Sequence, residues 1–361
     1  MKKIKLGDIL EIQPKSKVKA GEGITNGKYP FYTCSNELTK SVNTADYEGD
    51  ALIMGTGGMA SIHYEKGKFS TSTDCLVYKS NKNVNLSLIN KYLRTNIYLL
   101  ENGFKGAGLR HISRDYISNI TIPLPERNLQ DKIVKELDLI EKTITNHNDV
   151  LKKYDTLIKS RFIEMFGDPV QNPMEWEVRK LKETTDIITG NTPSRKDKDN
   201  YGTFIEWIKT DNITDKTYIT TAAEYLSEKG EKLGRTVETG SILMACIAGS
   251  LKSIGRVALT DRKVAFNQQI NAIVPKQYNS LFLYVLFQNT QSYAQSTVNM
   301  ALKGILSKGK LEELEYILPP IELQDDFANF VHQIDKSKFT VQKSLEKAET
   351  LYKSLMQEYF G

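Results

Sequence analysis

The chain is written twice, and that duplication constrains its fold more than any other feature. Slid so that Leu129-Gln130-Asp131 lies on Leu323-Gln324-Asp325, it also brings Ile140 onto Ile334 and Glu141-Lys142 onto Asp335-Lys336. Further along, Thr156-Leu157 meets Thr350-Leu351, Lys159-Ser160 meets Lys353-Ser354, and Phe166-Gly167 meets Phe360-Gly361. The register holds without a gap from Leu129 to Gly167. Upstream, Ile122-Pro123-Leu124-Pro125 answers Tyr316-Ile317-Leu318-Pro319. Earlier blocks match more loosely. Gly49-Asp50-Ala51-Leu52-Ile53-Met54 resembles Gly240-Ser241-Ile242-Leu243-Met244-Ala245, and Phe69 to Val77 parallels Phe266 to Val274, with Ser70-Thr71 where the second copy has Asn267-Gln268. The plan is therefore domain, helix, domain, helix, with constant helices and divergent domains.

The constant blocks read as long coiled-coil helices. Apolar positions fall at Ile133, Leu137, Ile140, Ile144, Leu151 and Ile158, with His147 and Tyr154 in the same series. The second copy places Phe327, Val331, Ile334, Val341, Leu345 and Tyr352 in equivalent steps of four and three, with Lys338 among them. Such alternation is a heptad seam, and a polar seam residue such as His147 more often sets register than binds a ligand. Prolines precede each block and a glycine closes it, as helix start and stop signals do. At ~1.5 Å per residue each helix is a rod of roughly 57 Å. Two seams in one chain most simply pair with each other, and antiparallel pairing would put one large domain at each end.

The large domains read as mixed α/β. Short apolar runs such as Ala51 to Met54, Leu76 to Tyr78 and Ala272 to Val274 lie between Gly, Asn and Asp, as strands do. A helical stretch from Leu86 to Leu100 has a counterpart from Leu281 to Tyr293. The expected organisation is a globular domain over 1–126, a long helix over 127–168, a second domain over 169–318 and a C-terminal helix over 319–361.

Composition narrows the class. With 361 residues, 40% hydrophobic and 26% charged, the chain is ordinary globular material of two or three domains. Its longest apolar run, Ile242 to Ala248, falls far short of the ~18 residues that span a bilayer. No apolar segment follows the basic start Met1-Lys2-Lys3, so no signal peptide is expected. Cys34, Cys75 and Cys246, like the four histidines, are scattered, which points to a reducing cytoplasm and away from a Cys/His zinc site. The net charge of +5 sits in the two domains, a pattern compatible with a polyanion partner.

Enzyme motifs are weak. Gly55-Thr56-Gly57-Gly58-Met59-Ala60 has the form of a dinucleotide fingerprint, but the following Ser61 to Gly67 alternates like a strand, whereas the fingerprint requires a helix there. Asn172-Pro173-Met174-Glu175 lacks what a methyltransferase catalytic strand needs, and Asp261-Arg262-Lys263 reads as a hairpin turn rather than a nuclease site. No catalytic or metal-ligating residue is expected. For DNA contact the candidates are polar and basic loop residues, because Lys and Arg neutralise phosphates while Asn, Gln and Arg pair with base edges. They are Lys28, Ser35, Asn36, Thr56, Arg110, His111 and Arg114 in the first domain. In the second they are Thr192, Arg195, Lys196, Lys209, Asn212, Lys252, Asn267, Gln268 and Lys303.

With the repeat, Leu318-Pro319-Pro320-Ile321-Glu322-Leu323-Gln324, Gly240-Ser241-Ile242-Leu243-Met244, Ile254-Gly255-Arg256-Val257-Ala258 and Phe266-Asn267-Gln268-Gln269-Ile270, the chain resembles the specificity subunits of type I restriction–modification systems along its whole length. The resemblance implies two target-recognition domains, each reading one half of a split, asymmetric site on double-stranded DNA, and a helical rod that sets the spacer. It implies a non-catalytic, cytoplasmic subunit that binds no cofactor. Its partners would be two methyltransferase subunits using S-adenosylmethionine and restriction/translocase subunits using ATP and Mg²⁺, with no membrane. A stand-alone DNA-binding adaptor is the alternative, distinguished by tight DNA binding without a methyltransferase.

Overall fold

In a computed structural model, which describes residues 2–298 and 304–361, the duplication is visible strand for strand. The chain forms two compact units, 1–148 with 343–361 and 149–342.

The first unit carries β1 (Lys2–Lys5), β2 (Leu10–Ile12), β3 (Tyr29–Tyr32), β4 (Lys40–Val42), β5 (Tyr47–Glu48), β6 (Ala51–Gly55), β7 (Ile62–Glu65), β8 (Lys68–Thr71), β9 (Cys75–Ser80) and β10 (Thr121–Leu124). One sheet runs β2-β9-β6-β7 and is antiparallel; the other runs β4-β3-β8-β5, with β3 and β8 parallel. β1 and β10 form a separate antiparallel ribbon. Helices α1 (Leu86–Thr95), α2 (Tyr98–Glu101) and α3 (Arg114–Asn119) precede the long helix α4 (Arg127–Phe166).

The second unit repeats this with β11 (Val178–Lys180), β12 (Thr185–Thr189), β13 (Tyr201–Ile208), β14 (Tyr225–Leu226), β15 (Thr236–Val237), β16 (Ile242–Ala245), β17 (Val257–Leu259), β18 (Val264–Phe266), β19 (Ile270–Pro275) and β20 (Glu315–Ile317). The sheet orders are β12-β19-β16-β17 and β14-β13-β18-β15, with β13 and β18 parallel. Helices α5 (Leu181–Thr184), α6 (Glu228–Leu233), α7 (Ser280–Asn289), α8 (Gln291–Ser296) and α9 (Lys308–Glu313) accompany them, and α10 (Ile321–Phe360) closes the chain.

β6 and β16 are apolar on both faces because each lies between two layers. Leu52 and Met54 face α1 through Ile89 and Leu93, while Ile53 meets Tyr32, Phe69 and Val77 between the sheets. In the second unit Ile242 and Met244 face α7, and Leu243 meets Ile208 and Phe266. Two alignments read from the sequence are thereby corrected. Leu52 pairs with Tyr78 and Ile242 with Ile273, so Leu52 corresponds to Ile242, not Leu243. The second copy is one residue shorter between its turn glycine, Gly240, and the strand than the first is after Gly49. A one-residue slip reverses every inward and outward side chain, which a gap-free comparison of apolar runs does not register. Likewise Thr71 pairs with Tyr32 and Phe266 with Ile208, so Ser72 stands where Asn267 does, and Ser70 does not. Asp261-Arg262-Lys263 joins β17 to β18, strands of different sheets, and is not a hairpin.

The retained Leu-Gln-Asp triplets explain themselves at the start of each long helix. Gln130 is buried; its Nε2 donates to the Pro125 carbonyl at 2.8 Å and its Oε1 accepts from the Asn85 amide at 2.8 Å. Asn85 caps α1 by accepting from the Leu88 amide, and its Nδ2 donates to Asp131 at 2.8 Å. The second unit is built identically. Gln324 bonds Pro319 and the Asn279 amide at 2.8 and 2.9 Å, and Asn279 caps α7 and donates to Asp325 at 2.8 Å. Each junction thus satisfies an N-cap, a proline carbonyl and a buried amide together.

α4 and α10 are antiparallel within each unit. In the first, Met356 packs with Ile133 and Leu137, and the Tyr352 hydroxyl donates to Glu141 at 2.8 Å. In the second, Phe162 and Phe166 stack around Phe327 and Phe282, and Lys338 pairs with Asp155 at 2.7 Å. Ile133, Leu137, Ile158, Phe327, Val331 and Leu345 are buried; Ile140, Ile144, Leu151, Ile334, Val341 and Tyr352 are half-buried. Two helices cover a seam only partly; Ile133 and Leu137 are closed over by α1 through Leu88, and Ile158, Phe327 and Val331 by α7, whereas Leu345 is buried outside both clusters. Phe162, Phe166 and Met356 belong to this core although they were not in the expected seam. His147 lies half-buried in the series, its Nδ1 buried and without a hydrogen-bond partner among the described residues.

Asn279→Ala removes a cap and should cost about 1 kcal/mol. Gln324→Ala should cost about 1–3 kcal/mol, because it leaves the Asn279 amide and the Pro319 carbonyl unsatisfied. Denaturant unfolding followed by near-UV circular dichroism checks both; an unshifted transition for Gln324→Ala would contradict the junction's role.

Candidate nucleic-acid interface

In the first domain three loops meet around two carbonyls. The Asp74 carbonyl accepts from the Thr56 amide at 2.8 Å, the Thr56 hydroxyl at 2.7 Å and the Cys34 thiol at 3.1 Å. The Thr56 carbonyl accepts from the Ile112 amide at 3.1 Å and from the His111 ring Nδ1 at 3.2 Å. Gly58, in the left-handed region at φ +82°, donates its amide to the Arg110 carbonyl at 2.9 Å. The glycine-rich string therefore forms a tight turn from β6 into β7, with no helix for a dinucleotide phosphate. Ser35 and Asn36 lie on the neighbouring loop, where the Ser35 carbonyl accepts from His63 Nε2 at 2.7 Å. Ser35, Asn36, Arg110, His111 and Arg114 are exposed, and Thr56 is half-buried; Arg110 also donates to the Phe104 carbonyl at 2.9 Å. Lys28 is exposed just before Tyr29 and sits over that ring, 5.3 Å from its centroid.

The second domain brings equivalent loops together with other residues. Asn191 donates its amide to Phe266 at 3.1 Å, Thr192 bonds Gln268 through its hydroxyl, and the Cys246 amide donates to Gln269 at 2.8 Å. A Cβ on Gly190 would lie 2.2 Å from the Asn267 carbonyl oxygen, so only glycine lets these loops approach. Thr192, Arg195, Lys196, Lys252 and Gln268 are exposed. Lys196 and Lys252 have no ion-pair partner among the described residues and are free to meet phosphates. Arg195 and Lys209 are both held by Glu224, the former at 2.7 Å.

Two expected contacts are turned inward. Asn212 is buried; its Oδ1 accepts from the Lys209 amide at 3.0 Å and its Nδ2 donates to the Thr221 carbonyl at 3.0 Å. Asn267 is buried as well, bonded to Gln269 through both ends of its amide. Both shape their loops, since Asn readily closes local backbone turns. Lys303 lies outside the described residues. Glu224, Tyr201 and Trp207 were missing from the sequence reading: an acid is no obvious DNA ligand, and aromatic residues on an apolar strand look like core. The run from Tyr201 to Trp207 could have shown them, as two aromatics on one face of a single strand, although the bulge between Tyr201 and Ile205 interrupts its alternation.

The comparisons with known proteins follow this architecture. The family model described as "Type I restriction modification DNA specificity domain" matches residues 1–153 and 173–349, once for each copy. The chain belongs to this family. It is 32% identical over 140 residues to the Type I restriction enzyme HindI specificity subunit of Haemophilus influenzae, covering 38% of this chain and 28% of that protein. It is 28% identical over 201 residues to the MjaIX specificity subunit of Methanocaldococcus jannaschii, covering 52% of this chain and 44% of that protein. The chain thus spans less than half the length of these two relatives. A longer match, to the MjaVIII specificity subunit of the same organism, covers 98% of this chain and 90% of the relative at 23% identity. Among solved structures, the type I restriction–modification S subunit from M. genitalium shares the fold, with a TM-score of 0.67 at 13% identity over 100% of this chain and 96% of that one. No helix among the described residues is long and apolar enough to cross a membrane.

Lys196→Ala and Lys252→Ala should each lower the salt dependence of DNA binding, the slope of log K against log salt falling by about 0.9 for every phosphate no longer neutralised. Asn212→Ala should leave that slope in place and destabilise the fold by about 1–3 kcal/mol. Binding titrations across salt concentrations, with unfolding curves alongside, separate the two behaviours.

Proposed function

We propose that this chain is the DNA sequence-specificity subunit of a type I restriction–modification complex. Each domain reads one half of a bipartite, asymmetric site on double-stranded DNA, while the paired helices set the spacer and dock two methyltransferase subunits. The observation that carries this is the double copy. The same sheets and the same Asn-Gln-Asp junction recur in both units, while the loops at the candidate interface share almost no polar residue. A scaffold kept constant with loops allowed to diverge suits two readers of different sequences joined at a fixed separation. Half-sites read by linked domains lie about one helical turn (~34–36 Å) or a compatible distance apart on the duplex.

In this reading the chain is non-catalytic and binds no cofactor itself. S-adenosylmethionine would be held by the methyltransferase subunits, and ATP with Mg²⁺ by restriction/translocase subunits that join the complex. Work on chromosomal DNA suits a cytoplasmic protein.

The test is reconstitution with the methyltransferase encoded beside it. Native mass spectrometry should find two methyltransferase subunits per copy of this chain, and methyl transfer from labelled S-adenosylmethionine to DNA should require both proteins. Methyl transfer by this chain alone would contradict the non-catalytic reading. Tight, specific DNA binding with no methyltransferase retained would favour a stand-alone adaptor.

A further inference from the structure

The second domain holds an arginine on an aromatic shelf that has no counterpart among the described residues of the first. Tyr201 and Trp207 lie on β13 with ring centroids 5.9 Å apart, edge to face. The loop beside them pins both rings. The Tyr201 hydroxyl donates to the Pro193 carbonyl at 2.7 Å and the Trp207 Nε1 to the Asn191 carbonyl at 3.3 Å. That loop runs on to Arg195, whose guanidinium carbon sits 5.0 Å from the Tyr201 centroid and 5.2 Å from that of Trp207. Its Nη2 donates to Glu224 Oε2 at 2.7 Å. Lys209 bonds the other oxygen of the same carboxylate and lies 5.1 Å from the Trp207 ring. The Trp207 amide donates to the Glu224 carbonyl at 3.0 Å, so the residue that carries the carboxylate is tied to the strand that carries the shelf.

An arginine meant only to neutralise phosphate needs no such support, and an adjacent carboxylate would weaken it. Here Glu224 cancels one of two neighbouring positive charges, and Lys209 and Arg195 hold that carboxyl below the usual carboxylate range. What remains is a guanidinium held against two rings and tied by one hydrogen bond to a carboxylate oxygen. Its side chain is 56% exposed, against 30% for Lys209, while Trp207 is buried. A planar fork already ordered loses little entropy on binding and meets two acceptors side by side. Guanine presents that pair in the major groove as N7 and O6. In the first domain the equivalent positions of Trp207 and Lys209 are Phe31 and Thr33, with neither an indole nor a cation.

We propose that Arg195 reads a guanine in the half-site of the second domain and that Glu224 is its positioning residue. The proposal rests on the specificity-subunit reading above. It is tested by sequencing methylated adenines genome-wide in cells carrying the full complex with the wild-type chain, Arg195→Ala, Arg195→Lys or Glu224→Gln. The expected result is that both Arg195 variants lose discrimination roughly ten- to hundredfold at a single guanine of one half-site, with the other half and the gap intact. Lysine keeps the charge but not the fork, so it should not rescue. Glu224→Gln, which keeps an acceptor and removes the charge, should relax the same position to a smaller extent. Thermal unfolding of each purified complex, expected unchanged, guards against misfolding, and Glu224→Gln and Arg195→Lys are mild enough to keep the test open should Arg195→Ala fail to fold. A uniform fall in methylation at every site, restored by lysine, would make Arg195 a phosphate contact and overturn the proposal. An unchanged motif in all variants would do the same. If the wild-type complex yields no motif at all, the specificity-subunit reading itself fails, and this proposal falls with it.

Discussion

A buried glutamine at the start of each long helix connects everything else in the molecule. Gln130 and Gln324 each bridge the proline carbonyl that delivers the chain into the helix and the amide of the asparagine that caps a domain helix. A primary amide in an apolar setting is costly unless its donors and acceptors are met. Here the partners come from two elements that would otherwise be free to pivot. The hydrogen bonds therefore fix the angle between domain and helix, and the following aspartate reinforces it through the asparagine side chain. Loops can then vary at the other end of the sheets without disturbing that junction.

That division of labour runs through both copies. The layers against α1 and α7 are packed with Leu, Ile and Phe and leave little room for change. The loop ends are closed by backbone hydrogen bonds supplemented in each copy by its own set of side chains, while the frame stays the same. The first domain uses backbone carbonyls of Asp74 and Thr56 as its hubs; the second uses Asn212, Asn267 and the Glu224 triad. Even the contact between domain and helix has diverged: Lys91 meets Asp138 at 2.8 Å and also Glu141, where the second copy has Val285 and relies on apolar packing.

The long helices and the repeat were legible from the sequence because each is a periodic or repeated pattern. The alternation of four and three steps identified α4 and α10, while the Leu-Gln-Asp triplets showed only as a repeat, their contact with Asn85 and Asn279 emerging in the fold. Strand register was less legible. The slip that equates Leu52 with Ile242 sits inside runs apolar on both faces, where periodicity carries no information. At the candidate interface, exposure could be judged for lysines but not for Asn212 and Asn267, whose amides serve their own loops equally well. Glu224 was hidden because its significance lies in Arg195 and Lys209, which are distant in sequence and adjacent only after β13 is in place.

The central claim is that two divergent copies of one reader, held at a set separation, specify two different half-sites. The most direct measurement is single-molecule sequencing of methylated adenine in cells expressing the chain with its methyltransferase, against cells lacking it. A new motif made of two unlike parts separated by a constant gap is the expected result. A continuous motif, a gap of variable length, or two identical halves would contradict it.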